Sequence, residues 1–257
     1  IIQEKARGTG HAALLGRGRM KEDPFLLAFG DIFVSGHNYT GMVARFDESR
    51  PDILLATRYV DDPWRGAAVY LDNRGQVTRI VEKPPPGSST THYDNAGVFC
   101  FKPRIWDLLE EVKLSPRGEY ELTDAIAATL AEKGRILAYE LAGYWLNLTG
   151  PEEMLQASRC LLEETSGDHD LPPGACAPCA VHPTARIAPG ARVGPNASVG
   201  AACRVGPNAV VENAILMQGA SVGANAVVRH AILAPGAAVA DSAQVPGQPG
   251  AASVICA

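Results

Sequence analysis

The sequence predicts two domains of different class: an α/β domain over residues 1–164 and a parallel β-solenoid over 181–257, joined by a linker at 165–180. Three observations point this way. Apolar runs of strand length alternate with helically spaced segments in the first part of the chain, as in a sheet covered by helices. From Val181 an aliphatic residue returns every six positions, at Val181, Ile187, Val193, Val199, Val205 and Val211. The composition changes near Thr165: most charges and the aromatic residues precede it, and no aromatic follows Val181.

The elements follow in order. A helix is expected to start near His11. Phe25 to Phe29 is a continuous apolar run ending at Gly30-Asp31, and it reads as a buried parallel strand. Asp52 to Thr57 reads the same way. Ala67 to Leu71 and Val77 to Val81, joined by Asp72-Asn73-Arg74-Gly75, read as a hairpin. Ala96 to Phe101 is a further buried strand. Arg104 to Glu111 and Thr123 to Lys133 carry helical spacing, the second stopping at Gly134. Pro151 to Glu164 predicts a helix with Asn147 or Thr149 near its start. The alternation predicts a mostly parallel sheet, whose ligand crevice lies just past the carboxyl ends of its strands. That places Asp31 as a candidate ligand of a charged group.

In the solenoid, a small residue stands four places after each of the first five aliphatics: Ala185, Ala191, Ala197, Cys203 and Ala209. Three hexads make one triangular coil, with the aliphatic pointing inward and the small residue letting the corner close. Gly-Pro-Asn fills the gap at 194–196 and again at 206–208. The register slips after Val211 and resumes at Val222 and Val228. The segment 210–216 nearly recurs as 227–233. Pro246 to Gly250 reads as a frayed end, and His182 and His230 as solvated turn residues.

Bulk properties exclude several classes. A net charge of −5 provides no basic surface for nucleic acid. No apolar run approaches the ~20 residues of a membrane span. The six cysteines do not form a disulfide framework, and Cys176 and Cys179 make a lone CxxC without a second pair. Buried thiols in a reducing cytoplasm fit this usage.

Short motifs line up in one order: Gln3 followed by Gly8-Thr9-Gly10-His11-Ala12, Gly30-Asp31, Val81-Glu82-Lys83-Pro84, Asn95-Ala96-Gly97-Val98-Phe99, Gly118 to Asp124, and Tyr144-Trp145-Leu146-Asn147 before Gly150-Pro151-Glu152. Each has a physical reading. Gly8 lets backbone approach a flat base closely. The Gln3 amide suits a pyrimidine edge. Asp31 is a hard oxygen ligand of the kind Mg²⁺ takes. Pro84 stiffens the chain beside Lys83, whose point charge suits a phosphate. Glu119, Thr123 and Asp124 read as a cap and first-turn acids of the following helix.

In this order, with hexapeptide repeats behind them, the motifs resemble the sugar-1-phosphate nucleotidyltransferases, of the N-acetylglucosamine-1-phosphate and glucose-1-phosphate uridylyltransferase type. The resemblance implies a Rossmann-like nucleotidyltransferase domain and a left-handed parallel β-helix. It implies that Gln3, Gly8 and Thr9 read the base and that Asp31 and Asn147 hold Mg²⁺. Lys83 contacts the sugar phosphate, Glu82 and Asn95 hold sugar hydroxyls or an N-acetyl group, and Gly66 offers a backbone contact. Asp31 and Lys83 are then the catalytic pair. The implied reaction is attack of a sugar 1-phosphate on the α-phosphorus of UTP or dTTP, with pyrophosphate leaving. The family's Gly-rich triphosphate loop has no place before Gln3, so the domain is expected to be N-terminally incomplete and the chain poorly active alone. Two other readings are a scaffold paralogue that senses nucleotide sugars and a hexapeptide-repeat acetyltransferase. The solenoid is expected to assemble the chain as a homo-oligomer.

Overall fold

The computed structural model describes residues 1–20, 23–165 and 171–257. The chain forms two compact units, Ile1–Trp145 and Leu146–Ala257. Among the described residues, no helix is long and apolar enough to cross a membrane.

The first unit contains α1 (Thr9–Leu14), β1 (Phe25–Ala28), β2 (Ile32–Val34), α2 (His37–Ser49), β3 (Ile53–Tyr59), β4 (Ala67–Leu71), β5 (Val77–Glu82), β6 (Tyr93–Phe101), α3 (Ile105–Glu111), α4 (Leu122–Ala131) and β7 (Ile136–Glu140). The main sheet runs β5-β4-β6-β3-β7, with β1 also on β6. Strands β3 and β7 are parallel, whereas β6 is antiparallel to β1, β3 and β4. The expectation of a mostly parallel sheet is therefore corrected to a mixed one.

The physical reason lies in the two faces of the sheet. Ile53 and Leu55 join Phe99, Phe101, α3 and α4 in one core, while Leu54 and Ala56 join Val98, Cys100, Met42 and Phe46 of α2 in another. Alternate residues of a strand point to opposite faces. With both faces covered, the apolar run is continuous whatever the strand direction. Helix α2 has no counterpart among the expected elements. Most of its side chains are polar, and only Asn38, Met42 and Phe46 are fully buried. The hairpin forms as expected, with Ala67 opposite Glu82 and Val69 opposite Ile80.

The second unit opens with α5 (Pro151–Thr165) and continues as a parallel solenoid. Arg186 pairs with Arg204, 18 residues on, as three hexads require. Later coils are one residue shorter: Val210 pairs with Val227 and Val227 with Gln244. The slip after Val211 is thus a 17-residue coil. Val193, Val199, Val205, Val211, Val222 and Val228 fill the interior, alongside Ala191, Ala197, Cys203 and Ala209. Corners are turned by residues at positive φ, among them Asn196 (58°), Asn208 (57°) and Asn225 (58°). Asparagine tolerates this region better than other side chains.

One expectation changes here, and the packing adds two observations. The end of the chain is not frayed, because Ser253–Ile255 pairs in parallel with Ala231–Leu233. The solenoid takes in part of the expected linker: Ala175 bridges Val193, and the Cys176 N–H donates to the Val193 carbonyl at 2.8 Å. Within that linker, Ser166 to Asp170 lie outside the described residues. Helix α5, placed in the first domain by composition, packs against the strands Ala197–Val199, Val210–Leu216 and Val227–Leu233. The hydroxyls of Ser158 and Ser198 bond at 2.9 Å across that contact.

Candidate functional site

The register of the first unit aligns its candidate groups at one level of the sheet. Glu82 at the carboxyl end of β5 stands opposite Ala67, Ala68 stands opposite Asp94, and Asp94 stands opposite Arg58 near the carboxyl end of β3. Asn95 follows Asp94. Because the sheet is mixed, amino ends of β4 and β6 share this edge with carboxyl ends of β3 and β5.

Lys83 sits at φ 40°, a left-handed conformation uncommon outside glycine. Its N–H donates to the Gly66 carbonyl at 2.8 Å, which fixes the backbone. The side chain is exposed, and its charge acts on the neighbouring Glu82 carboxylate. Asn95 accepts the Gly97 N–H at Oδ1, 3.1 Å away, which leaves its amide N–H₂ as the donor end.

Glu82 accepts from the Thr123 hydroxyl at 3.1 Å and faces Arg117 at 3.4 Å. Arg117 also faces Glu121 at 3.2 Å and Glu119 at 3.5 Å. Burial raises the pKa of Glu82, the neighbouring Glu121 charge raises it further, and Thr123 and Arg117 oppose the shift. Thr123 is therefore a partner of Glu82. The cap of α4 comes instead from Thr9, whose hydroxyl accepts the Leu122 N–H at 3.1 Å. Two distant segments meet in this bond, so local spacing carried no sign of it.

Gln3, Gly8 and Thr9 form a second cluster. The Gln3 amide lies 2.8 Å from His11 Nδ1 and donates to the Gly8 carbonyl at 3.3 Å. Gly8 has φ 102°, and a Cβ there would stand 2.6 Å from the Tyr120 carbonyl oxygen. The glycine is thus required by the 119–120 backbone, a packing demand separate from any base. Through Thr9 and Leu122 this cluster reaches Thr123 and hence Glu82. Asp31 is exposed in the turn between β1 and β2, and it engages no other described side chain. The Phe29 N–H donates to the Gly97 carbonyl at 2.9 Å, so that turn leaves the sheet beside β6. Asn147 falls in the second unit.

Residues 1–164 match the nucleotidyl transferase family, and residues 175–256 match the GMPPB C-terminal domain. This chain belongs to the nucleotidyl transferase family. Among its relatives is the low-salt glycan biosynthesis nucleotidyltransferase Agl11 of Haloferax volcanii, 30% identical over 65% of this chain and 46% of the relative. A bifunctional protein GlmU of Methanococcus maripaludis is 33% identical over 64% of this chain and 38% of its own length. A glucose-1-phosphate thymidylyltransferase of Streptomyces griseus is 34% identical over 64% of this chain and 46% of the relative. The chain thus spans less than half of each of these relatives. A solved UDP-glucose pyrophosphorylase, in complex with UDP-glucose, matches with a TM-score of 0.56 at 23% identity over 64% of this chain and 65% of that one, a likeness of fold.

Two residues of the nucleotidyl transferase unit escaped the sequence reading: Arg58 and Asp94. The available signal was a charged residue inside each of two otherwise buried strands, an exception worth noting in its own right. His230 also departs from expectation. It is 5% exposed, with Nε2 2.7 Å from Glu152 Oε2 and Nδ1 on the Asn213 amide. Both ring nitrogens are engaged, which leaves neither to deprotonate a substrate. His182 is exposed and bonds Thr184. Neither arrangement supports acyl transfer.

Proposed function

We propose that this protein transfers a nucleotidyl group from UTP or dTTP to glucose 1-phosphate or N-acetylglucosamine 1-phosphate, releasing pyrophosphate. The observation that carries the reading is the Lys83 ammonium, exposed at the sheet edge on a backbone pinned to Gly66, with the Glu82 carboxylate beside it on β5 and the Asn95 amide on β6, across β4. Lys83 neutralises the sugar phosphate, and Asn95 and Glu82 bond the sugar. Gln3, Gly8 and Thr9 face the base; Gly8 has one side against Tyr120 and needs no side chain on the other. The attacking phosphate is already ionised, so positioning and charge neutralisation suffice and no general base is required.

Mg²⁺ is the proposed cofactor. The exposed, unengaged carboxylate of Asp31 fits it as a hard oxygen donor. Asn147, on its own count, carries a buried Oδ1 with no hydrogen-bond partner, a carbonyl oxygen of the same type. The ion supplies neutralisation of phosphate charge. All six cysteines are free, which supports a reducing cytoplasm, and the solenoid is the proposed face of homo-oligomers.

Equilibrium binding of both sugar 1-phosphates tests the reading. Lys83→Ala is expected to weaken either by about tenfold or more, the scale of one lost charge-assisted contact. Equal affinity of variant and native chain would overturn the assignment. Pyrophosphate release with Mg²⁺ and UTP or dTTP then separates enzyme from sensor: turnover excludes the scaffold reading.

A further inference from the structure

A carboxylate inside a central strand is costly to bury, and an apolar residue would serve the sheet better. Asp94 lies in β6 with its side chain 4% exposed. Its Oδ2 accepts from Arg58 Nη2 at 2.8 Å and Nε at 3.2 Å, across the β3-β6 pair. Its Oδ1 accepts the Ala67 N–H at 2.9 Å. A Cβ at Gly66 would run into this carboxylate, so that position is glycine because Asp94 is acidic and buried there. The Gly66 carbonyl in turn holds the Lys83 N–H. On the other side, the Arg58 guanidinium lies 3.4 Å over the Trp145 ring, and Trp145 Nε1 donates to the Ala96 carbonyl at 2.9 Å.

These contacts form one closed chain. Asn95 is held from both sides, by Asp94 before it and Ala96 after it. Gly66 and Lys83 are tied to the same carboxylate through β4. No other described acidic group bonds both β3 and β4.

We propose that Arg58 and Asp94, backed by Trp145, are positioning residues that fix the spacing between the Asn95 amide and the Lys83 ammonium. That spacing selects a ligand carrying a sugar and a phosphate at a set separation. The inference rests on the reading of Lys83 as phosphate group and Asn95 as sugar group.

The test compares two probes on the full chain, glucose 1-phosphate and inorganic phosphate. Asp94→Asn is expected to bind glucose 1-phosphate about tenfold more weakly while inorganic phosphate changes less than about twofold, since only the two-point ligand senses the spacing. Lys83→Ala loses both. Arg58→Lys keeps the charge but not the fork that grips Oδ2, and an intermediate loss of about threefold is expected for glucose 1-phosphate alone. Should Asp94→Asn fail to fold, the double variant Arg58→Met with Asp94→Leu replaces the pair by apolar groups; the same selective loss is expected of it. Unchanged glucose 1-phosphate affinity in folded variants, or a parallel fall for both probes, overturns the positioning role. A native chain that binds no sugar 1-phosphate overturns the functional reading beneath it.

Discussion

Glu82 shows how a single carboxylate reports its surroundings. Its pKa is raised chiefly by burial, so the folded chain holds the proton more tightly than the unfolded chain does. Ionisation at this position therefore costs stability. The contribution is largest below the ordinary value of 4.5 and is lost as pH rises through the raised value. Glu82→Gln removes this slope, so the variant's Tm minus the native Tm should grow as pH rises from 4.5 through the raised value. A flat difference would show that Arg117 and Thr123 fully offset the burial. Gly8 makes a separate point about backbone. At φ 102° and 2.6 Å from the Tyr120 carbonyl, a methyl group has neither an allowed conformation nor space. Gly8→Ala should lower unfolding stability by about 1–3 kcal/mol, read from the denaturant midpoint.

The solenoid coil is the element on which the second unit is built. Each coil contacts its neighbours through parallel ladders, as between Val210–Leu216 and Val227–Leu233. In such arrays stability is close to a sum of repeat and interface contributions. Excision of 17 residues, 211 to 227, removes one whole coil and leaves every remaining corner on its own column. The shortened chain should keep its β-rich circular dichroism and unfold cooperatively at a lower midpoint. Removing six residues, 211 to 216, instead moves each following face by a third of a coil and takes away Asn213, the partner of His230. That chain should lose much of its ordered signal. Equal behaviour of the two deletions would refute the coil as the unit of packing.

At the scale of the molecule, the compact units do not coincide with the compositional boundary. Helix α5 precedes the compositional change near Thr165, yet it packs on the solenoid through Ser158 and through Glu152 on His230. A fragment of residues 146–257 should therefore fold alone and melt at a higher temperature than one of residues 175–257. The shorter fragment leaves His230, 5% exposed, without the carboxylate that accepts from it. Identical melting of the two would show that the helix adds nothing to the solenoid.

The sequence alone determined the solenoid almost in full. A coil buries one aliphatic and one small residue per hexad, so its core is written at fixed short intervals from Val181 to Val228, and the slip after Val211 was visible. It also determined the ordered motifs around Lys83, Asn95 and Asp31. Strand direction in the first unit was decided only by the tertiary structure, because Leu54 and Leu55 are apolar for opposite faces and an apolar run carries no arrow. The partnerships of Arg58 with Asp94, Thr9 with Leu122 and Glu152 with His230 were settled there as well. Those groups lie 36 to 113 positions apart. The bonds exist only once long stretches of chain have been brought side by side, and no local pattern of residue types encodes them.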